Sequence, residues 1–303
     1  MKKLVAGNLF LLHLIVFIYG FTAILGKLIS IGSGQLVWWR MVIAAVVIAA
    51  YAYSKGKIKK SLLDRGPLYA AVGLIIAAHW ITFFEAIKVS NVSVTLACLS
   101  SSALFTALLE PLLFRRKIDP FELIFGTMVV AGLLLIFRFE TEYTWGITLA
   151  LISAFLASAF NTTNGLLIRK DNPYRISLVE MIGGVIGISI YLLFKGQFNE
   201  ALFDVPPLDW LWLLILGIIC TAFAFVVGVK VMEELTPFTV SLTINLEPVY
   251  GIILAYLIFD DSERMSPQFY LGTVLIMASL YLNALRRKRL KKQESVTAVP
   301  GME

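Results

Sequence analysis

Apolar residues run along this chain in long stretches divided by short polar turns. Ten of those stretches have bilayer length: residues 7–29, 34–53, 67–88, 91–114, 121–138, 145–168, 174–195, 209–232, 236–259 and 267–285. A hydrocarbon core of about 30 Å takes roughly 20 apolar residues of helix. The pattern therefore predicts an all-α integral membrane fold with ten transmembrane helices. The positions also echo between halves. A shift of about 140 sets Met41, Ile48, Tyr51, Lys55 and Gly56 on Met181, Ile188, Tyr191, Lys195 and Gly196. A shift of about 145 sets Ala77, Leu109, Leu112 and Phe114 on Ala222, Leu254, Leu257 and Phe259. Five spans per half would send the second half into the bilayer from the opposite side, giving two inverted five-helix repeats over 5–138 and 145–286, then a basic cytoplasmic tail at 287–303. Carriers built that way hold their substrate where the halves meet.

Proline punctuates the pattern. Pro67, Pro120, Pro173, Pro237 and Pro267 follow Gly66, Asp119, Asn172, Thr236 and Ser266 at expected helix starts. Proline in a first turn loses no helical hydrogen bond, and a small polar residue before it caps free amides. These positions read as helix starts, not active-site features. Residues 293–303 read as disordered.

Composition removes the soluble alternatives. At 303 residues, 59% hydrophobic and 15% charged, with mean hydropathy +0.84, the chain is too apolar for a soluble domain of its length. The net charge is +6, and its distribution says more than its sum. With the N-terminus inside, 20 of the 26 Lys and Arg fall on cytoplasmic segments, against Lys27, Lys88, Arg138, Lys195 and Arg264 near the other face and Arg40 within a helix. That asymmetry predicts both termini in the cytoplasm, here of a bacterial inner membrane. A Lys/Arg cluster following a span is expected to meet anionic lipid headgroups, not nucleic acid. The first segment outlasts a signal peptide and lacks a cleavage pattern, so it reads as an uncleaved span. Cys98 and Cys220 lie inside expected helices without metal-ligand spacing, so no metal or cofactor is expected.

Candidate chemistry lies at membrane depth. Glu247 falls near the middle of the ninth expected helix, where an ionisable group costs about 2.5–3.5 kcal/mol to insert and is usually functional or paired. Pro248 after it withholds an amide and would free a carbonyl one turn earlier. Thr236, Thr239, Thr243, Glu247 and Tyr250 share a helical face, as do Thr95, Cys98, Ser102, Thr106 and Glu110 in the fourth helix. The 145 shift matches Cys98 to Thr243 and Ser102 to Glu247, so the two stripes are expected to line one wet path. His79 and Trp80 are candidates for the cavity wall, and Asn161, Asn164 and Asn245 for ligand hydrogen bonds, with packing between helices as the alternative role. Arg40 and Glu180 match under the 140 shift and form a candidate gating pair, with snorkelling of Arg40 the alternative. Glu85 with Lys88, three residues apart, reads as a local pair.

These residues together bring out a family likeness. Tyr19-Gly20-Phe21-Thr22 with Lys27, then Val37-Trp38-Trp39-Arg40-Met41, resembles the start of an EamA domain of the drug/metabolite transporter superfamily. Leu246-Glu247-Pro248-Val249-Tyr250, the acidic turn from Asp260 to Glu263, and the helix opening Pro267-Gln268 with Gly272 are similar to that family's last two spans. The resemblance covers roughly residues 5–286. It implies a ten-helix carrier of two inverted repeats around a central cavity, moving small metabolites such as amino acids, often outward. Ser102-Ala103 stands in the first repeat where Glu247-Pro248 stands in the second, and Tyr19 stands where the family often has Trp; both departures leave the substrate open.

The expected function is secondary transport of a small-molecule substrate by alternating access, with Glu247 binding a cationic group or carrying a proton. No phosphate-binding loop is present to couple ATP. The rival reading is a membrane enzyme acting on lipid headgroups, which would want acid, base or metal ligands clustered at an interface; the two histidines lie on different helices. A homodimer is left open.

Overall fold

The computed structural model describes residues 2–58, 64–115, 117, 120–235, 240, 243–244 and 246–297. Among the described residues the fold is all-helical and contains no strand. In chain order the helices are α1 (Lys2–Leu28), α2 (Ser33–Ser54), α3 (Gly66–Val89), α4 (Val92–Leu99), α5 (Ser102–Phe114), α6 (Pro120–Phe139), α7 (Thr144–Leu167) and α8 (Pro173–Phe194). There follow α9 (Pro207–Gly217), a π-helical segment Ile218–Phe223, α10 (Ala224–Val231), α11 (Glu247–Phe259) and α12 (Pro267–Thr297). Seven stretches are long and apolar enough to cross a bilayer: Phe10–Leu28, Ser33–Ser54, Gly66–Val89, Val92–Phe114, Thr141–Leu167, Pro173–Phe194 and Pro207–Val231. Ile124–Phe139 is apolar but shorter.

Two expected helices are broken. Ser100 and Ser101 form a turn between α4 and α5. Their hydroxyls bond back to the carbonyls of Leu96 (3.2 Å) and Cys98 (2.7 Å), the local competition that makes serine a poor helix interior residue. At the first residue of α5, the Ser102 carbonyl also receives the Ser158 hydroxyl of α7 at 2.6 Å, a contact that hydroxyl shares with the Ala154 carbonyl of its own helix at 2.8 Å. In the ninth stretch residues 240, 243 and 244 are helical, Leu246 is a turn, and α11 opens at Glu247 with Pro248 in its first turn. Glu247 therefore heads a helix and does not sit in the middle of one. Pro248 lies in the first turn of that helix, where its missing amide costs nothing. At the other end of the chain α12 runs on through the basic residues to Thr297, into the stretch read as disordered.

Two of the five expected proline starts are capped as predicted, whereas α3 opens behind Arg65 without a side-chain cap, and Asp119 and Thr236-Pro237 lie outside the described residues. Asn172 Oδ1 accepts the amide of Arg175 (2.9 Å), and Ser266 Oγ that of Phe269 (3.1 Å). The likeness of the halves reaches the hydrogen bonds. Gly56 and Gly196 sit at φ +58° and +66°, ending α2 and α8. In both, the glycine amide bonds the carbonyl three residues back (Gly56 to Tyr53, 3.1 Å; Gly196 to Leu193, 3.0 Å). The next amide reaches the carbonyl five back, Lys57 to Ala52 and Gln197 to Leu192, each at 2.8 Å. This paired closure needs a left-handed residue, and glycine takes it without Cβ strain.

Packing is reciprocal. α3 lies on α7 and α8, while α9 and α10 with their π segment lie on α1 and α2. α2 meets its counterpart α8, and α6 meets α12. At that last contact a Cβ on Gly132 would stand 2.7 Å from the Gly272 carbonyl, and one on Gly272 2.8 Å from the Gly132 carbonyl, so the two backbones touch. The main core gathers around Ile15, Ala23, Met41, Ile76, Phe84 and Leu213, from helices of both halves.

Candidate functional site

A central cavity of about 80 Å³ lies among α1, α2, α3, the end of α4, α5, α7, the π segment, α10 and α11. Its wall runs from Arg40, Trp80 and Phe83 to Met232 and Val240, beyond the end of α10.

Arg40 of α2 is 2% exposed. Its Nε donates to Thr221 Oγ1 at 2.6 Å, and the guanidinium carbon lies 3.9 Å from the Trp80 ring centroid and 5.4 Å from that of Phe84. A weakly hydrated planar cation stacked on indole recovers part of what burial costs it. Nη1 has no hydrogen-bond partner among the described residues. The acceptor is itself placed by the π segment: Thr221 Oγ1 donates to the Leu216 carbonyl five residues back, at 2.7 Å. Such wide turns recur at functional sites because they redirect side chains.

Glu247, 6% exposed, enters the same cavity from the start of α11. Among the described residues no ion pair joins it to Arg40. Buried carboxylate and buried guanidinium thus share one enclosure without being tied to each other.

His79 lines the wall and is held firmly. Its Nδ1 is 2.9 Å from the Ser153 carbonyl and 2.8 Å from Ser153 Oγ, and that hydroxyl lies 3.1 Å from the His79 carbonyl. A carbonyl accepts only, so Nδ1 carries the proton and Nε2 is the nitrogen left for other partners. Trp80 meets Phe225 edge-on at 6.1 Å, and Phe160 lies 5.4 Å from His79. Residues 80 and 225 are related by the 145 shift. Tyr19, Thr22 and Cys220 complete the polar wall, with Tyr19 OH on the Ala224 carbonyl at 3.2 Å. Thr221, which holds Arg40, carried no signal in the sequence, and Thr22 entered it only as part of the family motif.

The remaining candidates divide. Ser102 and Asn161 line the cavity. Tyr250 does not; its ring packs on Phe17 at 5.5 Å, and its Cβ lies against Gly20. Thr243 is half-buried and outside the cavity wall. Asn164 donates to Glu180 at 3.4 Å, both buried between α7 and α8 away from the cavity. Arg40 and Glu180 consequently do not meet: Arg40 is held by Thr221 and Trp80, and Glu180 by Asn164. Asn245 lies outside the described residues. Of the fourth-helix stripe only Ser102 reaches the cavity; Cys98 is buried in a separate apolar cluster with Ala103 and Val129.

One end of the bundle is closed by carboxylates on backbone amides. Glu263 accepts from Val92 N (3.1 Å), Ser93 N (2.9 Å) and Ser93 Oγ (2.8 Å), capping α4, and receives Lys27 Nζ at 2.7 Å. Asp209 accepts from Ser30 N, Ser30 Oγ and Ile31 N. Ser33 donates to Glu85, and Lys88 to the Ile29 carbonyl, so the local Glu85–Lys88 pair is replaced by ties across helices. At the opposite end Asp171 receives Arg175 and the Tyr69 hydroxyl.

Against known proteins, the model of the EamA-like transporter family matches residues 7–138 and again 144–285. The chain is similar to the uncharacterized transporter YxxF of Bacillus subtilis (strain 168), at 22% identity over 89% of this chain and 87% of that protein. It is also similar to an uncharacterized transporter of Archaeoglobus fulgidus, at 21% identity over 84% and 88%. A solved crystal structure, described only as that of a protein, shares the fold with TM-score 0.67 at 17% identity, over 92% of this chain and 98% of its own.

Proposed function

The chain belongs to the EamA-like transporter family, a multi-pass membrane protein of the transporter class, and we propose that it is a secondary carrier of small metabolites, amino acids among them, with export as its direction. The observation that supports this most is the meeting of Arg40 and Glu247, two buried ionisable side chains, in one central cavity. Ionisable groups at membrane depth that face a cavity mark solute or proton paths.

In this reading the chain makes ten crossings in two inverted repeats. The matched glycine closures of α2 and α8 and the reciprocal packing of α3 and α9–α10 support it. The shorter α6, the 236–259 stretch that ends in α11 and the apolar first part of α12 are taken as the three crossings beyond those seven. Both termini lie in the cytoplasm of a bacterial inner membrane. Rocking of one repeat against the other opens the cavity alternately to each side. In this reading the conformation described faces the cytoplasm, which is supported by a cavity wall that reaches Met232 and Val240 and by the Lys27–Glu263 and Asp209–Ser30 contacts at the other end. Glu247 binds the cationic part of the solute or carries a proton in exchange for it. Ser102, Asn161, His79 and Trp80 shape the cavity, and Thr243, Tyr250 and Asn245 flank the Glu247 turn. Arg40 is assigned to the solute path, and Glu180 with Asn164 to the α7–α8 contact beside it.

Uptake by purified protein in liposomes, screened with labelled amino acids and other metabolites with and without a pH gradient, tests the proposal. Movement of at least one solute above protein-free vesicles is expected. No solute moved in either gradient would overturn it.

A further inference from the structure

We propose that the central cavity is a zwitterion site, with Arg40 holding the solute's carboxylate and Glu247 its ammonium group. The inference rests on the carrier reading above and narrows it to small solutes bearing both charges.

The argument starts with the orphaned donor. A guanidinium offers five N–H groups, and here Nε is taken by Thr221 while Nη1 has no partner among the described residues, though Arg40 is 2% exposed. A buried donor left unmade is costly, and the loss is recovered when an acceptor arrives. Trp80 covers the face of the guanidinium at 3.9 Å and Phe84 lies at 5.4 Å, so a ligand can approach along the edge. Edge approach suits a planar carboxylate, which takes two parallel N–H bonds from the fork.

Charge balance then selects the rest of the molecule. Ionised Arg40 and Glu247 sum to zero. A zwitterion keeps the enclosure neutral and pairs each fixed charge with its opposite. An amine without a carboxylate leaves Arg40 unmatched, and a carboxylate without an amine leaves Glu247 unmatched, each an uncompensated charge away from water. The wall also carries Trp80, Phe160 and Phe225, which suit an apolar side chain. Glu247 alone, as read from the sequence, asks only for a cation; Arg40 in the same cavity adds the anion.

The test uses the full-length protein in lipid nanodiscs and reads binding, independent of transport. The probes are the twenty amino acids and, for each binder, its amide, its decarboxylated amine and its deaminated acid. At least one zwitterion is expected to bind, with all three analogues weaker by about tenfold or more, since a site built for a polar group rejects the analogue lacking it. Arg40→Gln is expected to lower zwitterion affinity by about tenfold or more and to leave the amide, freed from an unmatched cation, bound as well as before or more tightly. Glu247→Gln should do the same relative to the deaminated acid. If Arg40→Gln does not fold, Arg40→Lys, which keeps the charge and loses the fork, carries the comparison. Equal binding of zwitterion and amide, equal loss of both in the Arg40 variant, or no amino acid binding overturns the inference. A protein that transports a solute without preferring the zwitterion overturns this inference and leaves the carrier reading standing; zwitterion binding without transport overturns the carrier reading instead.

Discussion

The Lys27 ammonium lies 2.7 Å from a Glu263 oxygen, and the Glu263 carboxylate at the same time caps the first turn of α4 through the amides of Val92 and Ser93. One carboxylate thus ties the end of α1 to the start of α4. Removing it strands two amides and leaves the Lys27 ammonium with the Ser262 hydroxyl at 2.8 Å. Glu263→Ala is expected to destabilise the protein by roughly 3 kcal/mol, the range for breaking a buried pair. Lys27→Met should cost less, about 1 kcal/mol, because Lys27 is a quarter exposed and the caps survive. Denaturation of the two purified variants checks the order; equal losses would contradict it.

Glu247→Gln keeps the size of the side chain and removes its charge and its proton. Transport is expected to fall about tenfold or more, equivalent to about 1.4 kcal/mol of lost interaction. Any dependence of uptake on a pH gradient should vanish with it. Initial rates in proteoliposomes at two internal pH values measure both. Unchanged rate and unchanged pH dependence would remove Glu247 from the mechanism.

The α6–α12 contact should tolerate no side chain. Gly132→Ala places a methyl 2.7 Å from the Gly272 carbonyl, a backbone atom that cannot swing away, and is expected to cost about 1–3 kcal/mol. Gly7→Ala has open space around it and should be neutral or stabilising by up to about 1 kcal/mol, as alanine for glycine in a helix. Melting temperatures of the pair decide the point.

The start of α5 receives a hydroxyl from another helix. Ser158→Ala leaves the Ser102 carbonyl without its 2.6 Å donor and is expected to cost about 0.6–1.7 kcal/mol, the range for interhelical bonds in membrane proteins. Ser158→Thr, which keeps the hydroxyl, should recover most of it. Denaturant titration of both variants reads the difference.

Much of this architecture is written in the chain at the level of single helices. Length and apolarity mark the spans, and proline with a polar residue before it marks their starts, because both are local physics. The Lys55-Gly56 and Lys195-Gly196 match survives in three dimensions since a helix end of that form depends only on residues within one turn. The breaks were hidden for the opposite reason. Ser100-Ser101 and Leu246-Glu247 also fit kinked or continuous helices, and the contact beside the first comes from Ser158, far away in sequence. Arg40 illustrates the same limit. Beside Trp38 and Trp39 at a helix start it resembles an interfacial anchor, and both tryptophans do bond partners near that end, Ser189 and Leu202. Arg40 turns inward because Thr221 and Trp80 wait there, and neither contact leaves a trace in local sequence. Glu180 shares its shifted position but meets Asn164, so equivalent positions in the halves have different surroundings.

Alternating access to the central cavity is tested most directly by labelling a single cysteine at Asn161→Cys, in a Cys98→Ala, Cys220→Ala background, with a membrane-impermeant thiol reagent from each side of sealed vesicles. The account predicts labelling from the cytoplasmic side at rest, and labelling from the outer side once Glu263→Ala with Asp209→Ala releases the far-end contacts. Labelling from both sides at once would describe an open channel, and labelling from neither a packed core; either result would contradict a carrier.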